Sequence, residues 1–127
     1  MDTKKIVLFS IIFFITFFGV SNSVHADQAS VTIEVPEETA LGSEITIRLT
    51  VNHSGNNVFH YVQWVKVMAN DKLIGRWNFS ASNRPEGVPF TREIKYPATQ
   101  NLEINAEAYC NIHGSKGPAV RNVMIKE

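Results

Sequence analysis

One cysteine is all this chain has, so no disulfide can close within it, and the inter-sheet bridge of true immunoglobulin domains is excluded. Charge of a dominant sign is also missing: twelve basic residues balance twelve acidic ones. With no basic patch or charge run, nucleic acid drops out as a partner. Beyond residue 26 no stretch carries a helical period, no segment repeats and none is of low complexity, which leaves strands to build the fold.

The one long apolar run lies at the start. Lys4 and Lys5 precede an almost wholly apolar stretch from Ile6 to Val20, and Val24-His25-Ala26 supplies small residues at the two positions a signal peptidase reads. Residues 1–26 are therefore expected to be a signal peptide cleaved after Ala26, which makes the protein periplasmic or secreted and free of the membrane afterwards. An uncleaved anchor is the alternative, but the run falls short of the ~20 residues of a comfortable span. Cleavage leaves one domain, residues 27–127, with ten basic and eleven acidic residues and a formal charge of about −1. In an oxidising compartment a lone thiol is buried, bridged to another molecule or bound to a metal. His25 leaves with the signal, so His53, His60 and His113 remain.

Period-two alternation marks the strands. Val31, Ile33 and Val35 form one inward set, and Ile45, Ile47, Leu49 and Val51 form a second whose parity reaches His53. A third run opens at His60 and is apolar or aromatic on both parities to Met68, as suits a central strand covered on both sides. Lys72 to Phe79, with a bulge at Gly75, Phe90 to Tyr96, Leu102 to Cys110 and Val120 to Ile125 complete the set; Glu37 to Gly42 is expected to turn and Ser80 to Pro89 to loop. Seven short strands predict an all-β, seven-stranded antiparallel immunoglobulin-like β-sandwich, with Trp64 and Trp77 in its core. Asn52-His53-Ser54 and Asn78-Phe79-Ser80 match the glycosylation pattern without a use for it here.

Chemistry concentrates in Ala108-Tyr109-Cys110-Asn111-Ile112-His113-Gly114. Cys110 continues the inward parity of its strand, and His113 follows in a loop that Gly114 and Gly117 mark. A soft sulfur and an imidazole there can grip a transition metal, or Cys110 can be a small buried residue beside an incidental histidine. In a sandwich His53, His60, Cys110 and His113 can meet at one end, and one sulfur with three imidazoles suits iron, copper or zinc.

Two of these stretches carry a family resemblance. His60-Tyr61-Val62-Gln63-Trp64-Val65 resembles the His-Tyr-Ile-x-Trp-Ile strand of superoxide reductases, the desulfoferrodoxin and neelaredoxin family, and residues 108–114 resemble their Ala-Tyr-Cys-Asn-x-His-Gly loop. The likeness runs from about Val31 to Lys126. It implies an immunoglobulin-like sandwich that holds one mononuclear, non-haem Fe2+ by in-plane histidines and an axial cysteine sulfur. Such a site reduces superoxide to hydrogen peroxide and is re-reduced by a donor protein such as rubredoxin. Carried over, Cys110 is the axial ligand and His53, His60 and His113 lie in plane; a homo-oligomer stays open. The chain departs from the pattern where a Glu-Lys-His segment should precede the first strand: Asp27, Gln28 and Ala29 stand there, so one ligand histidine and a lysine are missing. The loop from His53 to His60 is one residue longer than usual, Ser54 replaces a common proline, and Ser115 stands where an aromatic is often seen. A divergent member that is a non-enzymatic metal-binding or electron-transfer module, with copper or zinc in place of iron, is the second reading. A structural or adhesive domain that has lost its metal is the third.

Overall fold

Alternation decides which side chains face inward. In β3 (Glu44–Asn52) Ile45, Ile47, Leu49 and Val51 are buried while Glu44, Thr46 and Arg48 face water, and in β7 (Leu102–Cys110) Leu102, Ile104, Ala106, Ala108 and Cys110 are buried. A strand with one apolar edge can hide it only against another sheet. The computed structural model describes residues 28–127; the signal peptide expected over residues 1–26 and Asp27 lie outside the described residues.

The described residues form two sheets and no helix. The remaining strands are β1 (Ser30–Glu34), β2 (Glu38–Ala40), β4 (Val62–Ala69), β5 (Lys72–Asn78), β6 (Phe90–Pro97) and β8 (Ala119–Lys126). One sheet has the order β1-β3-β6, the other β2-β8-β7-β4-β5. Their inner faces meet in one core, with Val31, Ile47, Leu49 and Phe90 from the first sheet against Val65, Val67, Ile104 and Val123 from the second. This is the expected immunoglobulin-like sandwich.

All seven expected strands form, and an eighth joins them. Glu38-Thr39-Ala40, read from sequence as part of a turn, pairs in parallel with Met124, Ile125 and Lys126, the single parallel pairing between the described strands. Three residues with no apolar alternation are extended because a neighbour offers them backbone partners, a tertiary effect that no local pattern records.

The third expected strand also differs. It pairs from Val62 rather than His60, and its register with β7 shifts between Val62 and Trp64, so Gln63 is an extra residue. This bulge flips the parity. Val62, Val65 and Val67 point inward, whereas Trp64 leaves the core for the outer face, where it stacks on Tyr109 at 5.1 Å with Lys66 and Arg76 near its ring. Trp77 packs against the core as expected.

Register brings four strand ends together. Ser30 opposes Asn52, Val62 opposes Cys110, and Ala29 bridges Ser115. The same end is braced by the 80–89 loop, whose Pro85 carbonyl accepts from Asn56 Nδ2 at 2.9 Å. The Arg92 guanidinium forks onto Glu86 at 2.9 and 3.0 Å and holds that carboxyl below its ordinary pKa.

Candidate metal centre

Cys110 is the last residue of β7, fully buried, with its sulfur where the strand gives way to loop. The loop closes at once: Cys110 N–H donates to the Gly114 carbonyl at 2.9 Å and Gly114 N–H to the Cys110 carbonyl at 3.0 Å. Gly114 adopts a φ of 75°, which only glycine takes without strain. The tight loop folds His113 back over the sulfur, so that His113 N–H donates to Sγ at 3.4 Å and Nδ1 stands 3.9 Å from it.

His60 precedes β4 in a turn made by Asn57, whose Oδ1 accepts from the N–H groups of Phe59 and His60 at 3.0 and 3.1 Å. The Nε2 of His60 lies 3.2 Å from Nδ1 of His113. His53 follows β3, and its Nδ1 lies 2.6 Å from the Gly55 carbonyl. A carbonyl only accepts, so Nδ1 carries the proton and the lone pair sits on Nε2, which is shut away from solvent. Ligating histidines are oriented in this way by a backbone carbonyl. The three rings form a row with His60 in the middle, its centroid 4.5 Å from that of His53 and 5.0 Å from that of His113, each pair edge to face.

The structure thus brings the four sequence candidates to one tip. Donor atoms of His53, His60 and Cys110 lie within 4.8 Å of one another, and His113 meets His60 and Cys110 from the exposed side. Two nitrogens on one ion, with bonds of ~2.1 Å, stand roughly 3.0–3.4 Å apart, and donors on opposite sides of it stand ~4.4 Å apart. The observed spacings fall close to that range. The donor set, one sulfur with imidazoles, fits a soft to borderline transition ion such as iron, copper or zinc.

The missing histidine can be located too. Ala29, which stands where the resemblance puts it, is fully buried, and its N–H donates to the Gly114 carbonyl at 3.3 Å while its carbonyl accepts from Lys116 N–H at 2.9 Å. The backbone lies against the loop that carries His113, but the side chain offered there is a methyl group.

Two residues given no role by the sequence shape the site. Asn111 holds both neighbours of His60: its N–H donates to the Tyr61 carbonyl at 3.1 Å, its Oδ1 accepts from Tyr61 N–H at 3.0 Å, and its Nδ2 donates to the Phe59 carbonyl at 3.2 Å. Its place beside the cysteine was visible; its partners, some fifty residues away in the chain, were not. Gly55 is the other. A Cβ there would overlap the His60 ring, Nδ1 first. Gly55→Ala is therefore expected to displace the His60 ring from its place between His53 and His113 and, if the cluster holds a metal, to lower its affinity by about tenfold, the scale on which ligand-orienting contacts act. Competition with a chromophoric chelator measures this, and an unchanged affinity would show that the ring has room to give.

A family model described as desulfoferrodoxin matches residues 22–115, a span that includes all four candidates. The chain is similar to a curated desulfoferrodoxin homolog from Methanothermobacter thermautotrophicus, 27% identical over 82 residues, which make up 65% of this chain and 58% of that relative. It therefore spans less than two thirds of the relative's length. Among solved structures, a superoxide reductase (neelaredoxin) from Ignicoccus hospitalis superposes with a TM-score of 0.65 at 20% identity, covering 76% of this chain and 80% of that one. A reduced variant of the Archaeoglobus fulgidus superoxide reductase (neelaredoxin) gives 0.58 at 19% identity, over 79% and 93% of the two chains. At such identities the likeness shows the fold.

Proposed function

Because the chain belongs to the desulfoferrodoxin family, we propose that it is an exported mononuclear, non-haem iron protein of the superoxide reductase type, with His53, His60, His113 and Cys110 as its metal ligands. The observation that carries this reading is the meeting of a fully buried sulfur with three edge-on imidazoles at one sandwich tip. These residues would hold ferrous iron, which would supply the single electron that, with two protons, the conversion of superoxide to hydrogen peroxide requires.

The chain's own residues set up that step. The Gly55 carbonyl fixes the His53 tautomer, so that Nε2 keeps its lone pair. Cys110 would give a bound ion a soft, electron-rich sulfur donor; burial keeps water from it, and His113 N–H directs a hydrogen bond at it. His113 is exposed and His60 half-buried, so small solutes and protons can arrive from their side. Phe59 and Ile112, 78% and 58% exposed, stand on the two loops that carry these histidines and give a redox donor protein an apolar rim to dock on.

The test is to load the full chain with Fe2+ anaerobically and add superoxide. One hydrogen peroxide per superoxide, without oxygen evolution, is the expected result; indifference to superoxide overturns the proposal. One observation favours the second reading, a metal or electron carrier without the enzymatic turnover: the methyl of Ala29 where a fourth imidazole would stand. Metal analysis of the natively expressed protein separates the two, since copper or zinc points to the carrier.

A further inference from the structure

The loop from His53 to His60 is built as two turns. In the first, His53 Nδ1 lies 2.6 Å from the Gly55 carbonyl; in the second, Asn57 and His60 exchange backbone bonds of 2.9 and 3.2 Å. Asn56 stands between them, and its side chain reaches out of the loop. Its Nδ2 donates to the Pro85 carbonyl at 2.9 Å, 29 positions further along the chain. A carbonyl only accepts, so the amide nitrogen must face it. The amide oxygen is then turned to a place shut from solvent, where it meets no partner among the described residues. An orphaned acceptor costs stability, so what this side chain contributes is its donor, aimed at Pro85.

The far end of that bond is anchored. Of the described residues 80–89, only Pro85 is buried. Glu86, next in the chain, receives a two-pronged contact from Arg92, Nη1 to Oε2 at 2.9 Å and Nη2 to Oε1 at 3.0 Å. Such a fork fixes direction as well as distance. Arg92 is itself held: its side chain is 21% exposed, Nη1 also donates to the Thr91 carbonyl at 2.7 Å, and the guanidinium lies 5.0 and 5.6 Å from the ring centroids of Phe90 and Phe79. Phe90 is a core residue and pairs with Val51, just ahead of His53 in β3. A circuit results. From β3 the chain runs directly to His53, and from β6 it returns to the same loop through Arg92, Glu86, Pro85 and Asn56.

We propose that Arg92 and Glu86 are positioning residues for the candidate metal centre: by fixing Pro85 they hold Asn56, and so set the His53 turn against the His60 turn. The metal arm of this rests on the function proposed above; the placing of the two histidines does not. Both residues act through Asn56 and not on a donor atom.

Two measurements on the full chain test this. Amide hydrogen exchange of the metal-free protein reads position alone. The amides of Asn57 and His60 should exchange faster in Asn56→Ala by about fivefold, the scale of one hydrogen bond. In Glu86→Ala, which leaves Arg92 on its two rings, the rise should be about twofold to threefold, because a carboxylate side chain 64% exposed limits what the fork can hold. The Gly114 amide, bonded within its own loop to the Cys110 carbonyl, should not change in either. Arg48→Gln removes the exposed pair with Glu93 at 3.6 Å and should match the wild type. Exchange that is unchanged at Asn57 and His60, or that rises equally at Gly114, overturns the positioning role.

The second measurement is anaerobic competition for Fe2+ against a chromophoric chelator, below the unfolding transition. Asn56→Ala should bind about tenfold more weakly, at the low end for ligand-orienting contacts, and Glu86→Ala about threefold. The double variant should bind no more weakly than Asn56→Ala alone, because both changes break one route; independent effects would multiply to about thirtyfold. Multiplication, or unchanged affinity in the single variants, overturns the link to the metal. If the wild-type protein binds no Fe2+, the proposed metal centre falls, and the exchange measurement still decides what places His53 and His60.

Discussion

Cys110→Ser protein loaded with iron and then oxidised should show no visible sulfur-to-iron charge-transfer band, and its iron affinity should drop by more than about 100-fold. Contacts that merely orient a ligand are worth about 10–100-fold in metal affinity, so loss of a ligand itself must exceed that range. The serine oxygen is smaller than the sulfur and a much harder donor, poorly matched to an ion held by imidazoles. The fold should survive, because the N–H of His113, now 3.4 Å from Sγ, is placed to satisfy the new hydroxyl. Without that partner, a buried hydroxyl would cost about 1–3 kcal/mol. Metal content, the visible spectrum and circular dichroism taken together check this. A folded variant that keeps its band would mean that the sulfur is not a ligand.

The parity argument behind that variant was legible in the chain. Leu102, Ile104, Ala106 and Ala108 alternate with polar residues, and a strand that hides this set must carry Cys110 inward as well. The same pattern in β3 delivered His53 to the strand's end. What alternation could not show was whatever depends on partners distant in the chain. Glu38 to Ala40 became a strand only because Met124 to Lys126 lay open beside it. Trp64 turned outward because Gln63 adds a residue against β7, and this bulge lacks the glycine that marked the other one, where the register of β4 and β5 shifts beside Gly75 as expected. The departure at Ala29, by contrast, was plain in the sequence, and the backbone pairing shows why it matters: the segment still docks on the ligand loop and brings no donor with it.

Asn111→Ala should leave a folded protein that binds iron about 10–100-fold more weakly. His60 lies outside the strand ladder, and its place is set by its neighbours in the chain. Phe59 and Tyr61 are both held by Asn111, which sits next to Cys110, so one side chain spans from the cysteine loop to the histidine turn. Alanine keeps the backbone bond to the Tyr61 carbonyl and removes both amide contacts, at a cost of about 1–3 kcal/mol in stability for the groups left behind. A merely structural role would lower the melting temperature and leave the affinity of the folded protein unchanged. A positioning role lowers the affinity below the unfolding transition and weakens the charge-transfer band. Asn111→Asp sharpens the distinction, since it keeps the acceptor for Tyr61 N–H, loses the donor to Phe59 and brings a negative charge near the sulfur. If alanine at 111 binds iron as tightly as asparagine does, then the Asn57 turn alone holds His60, and the two halves of the site are built independently.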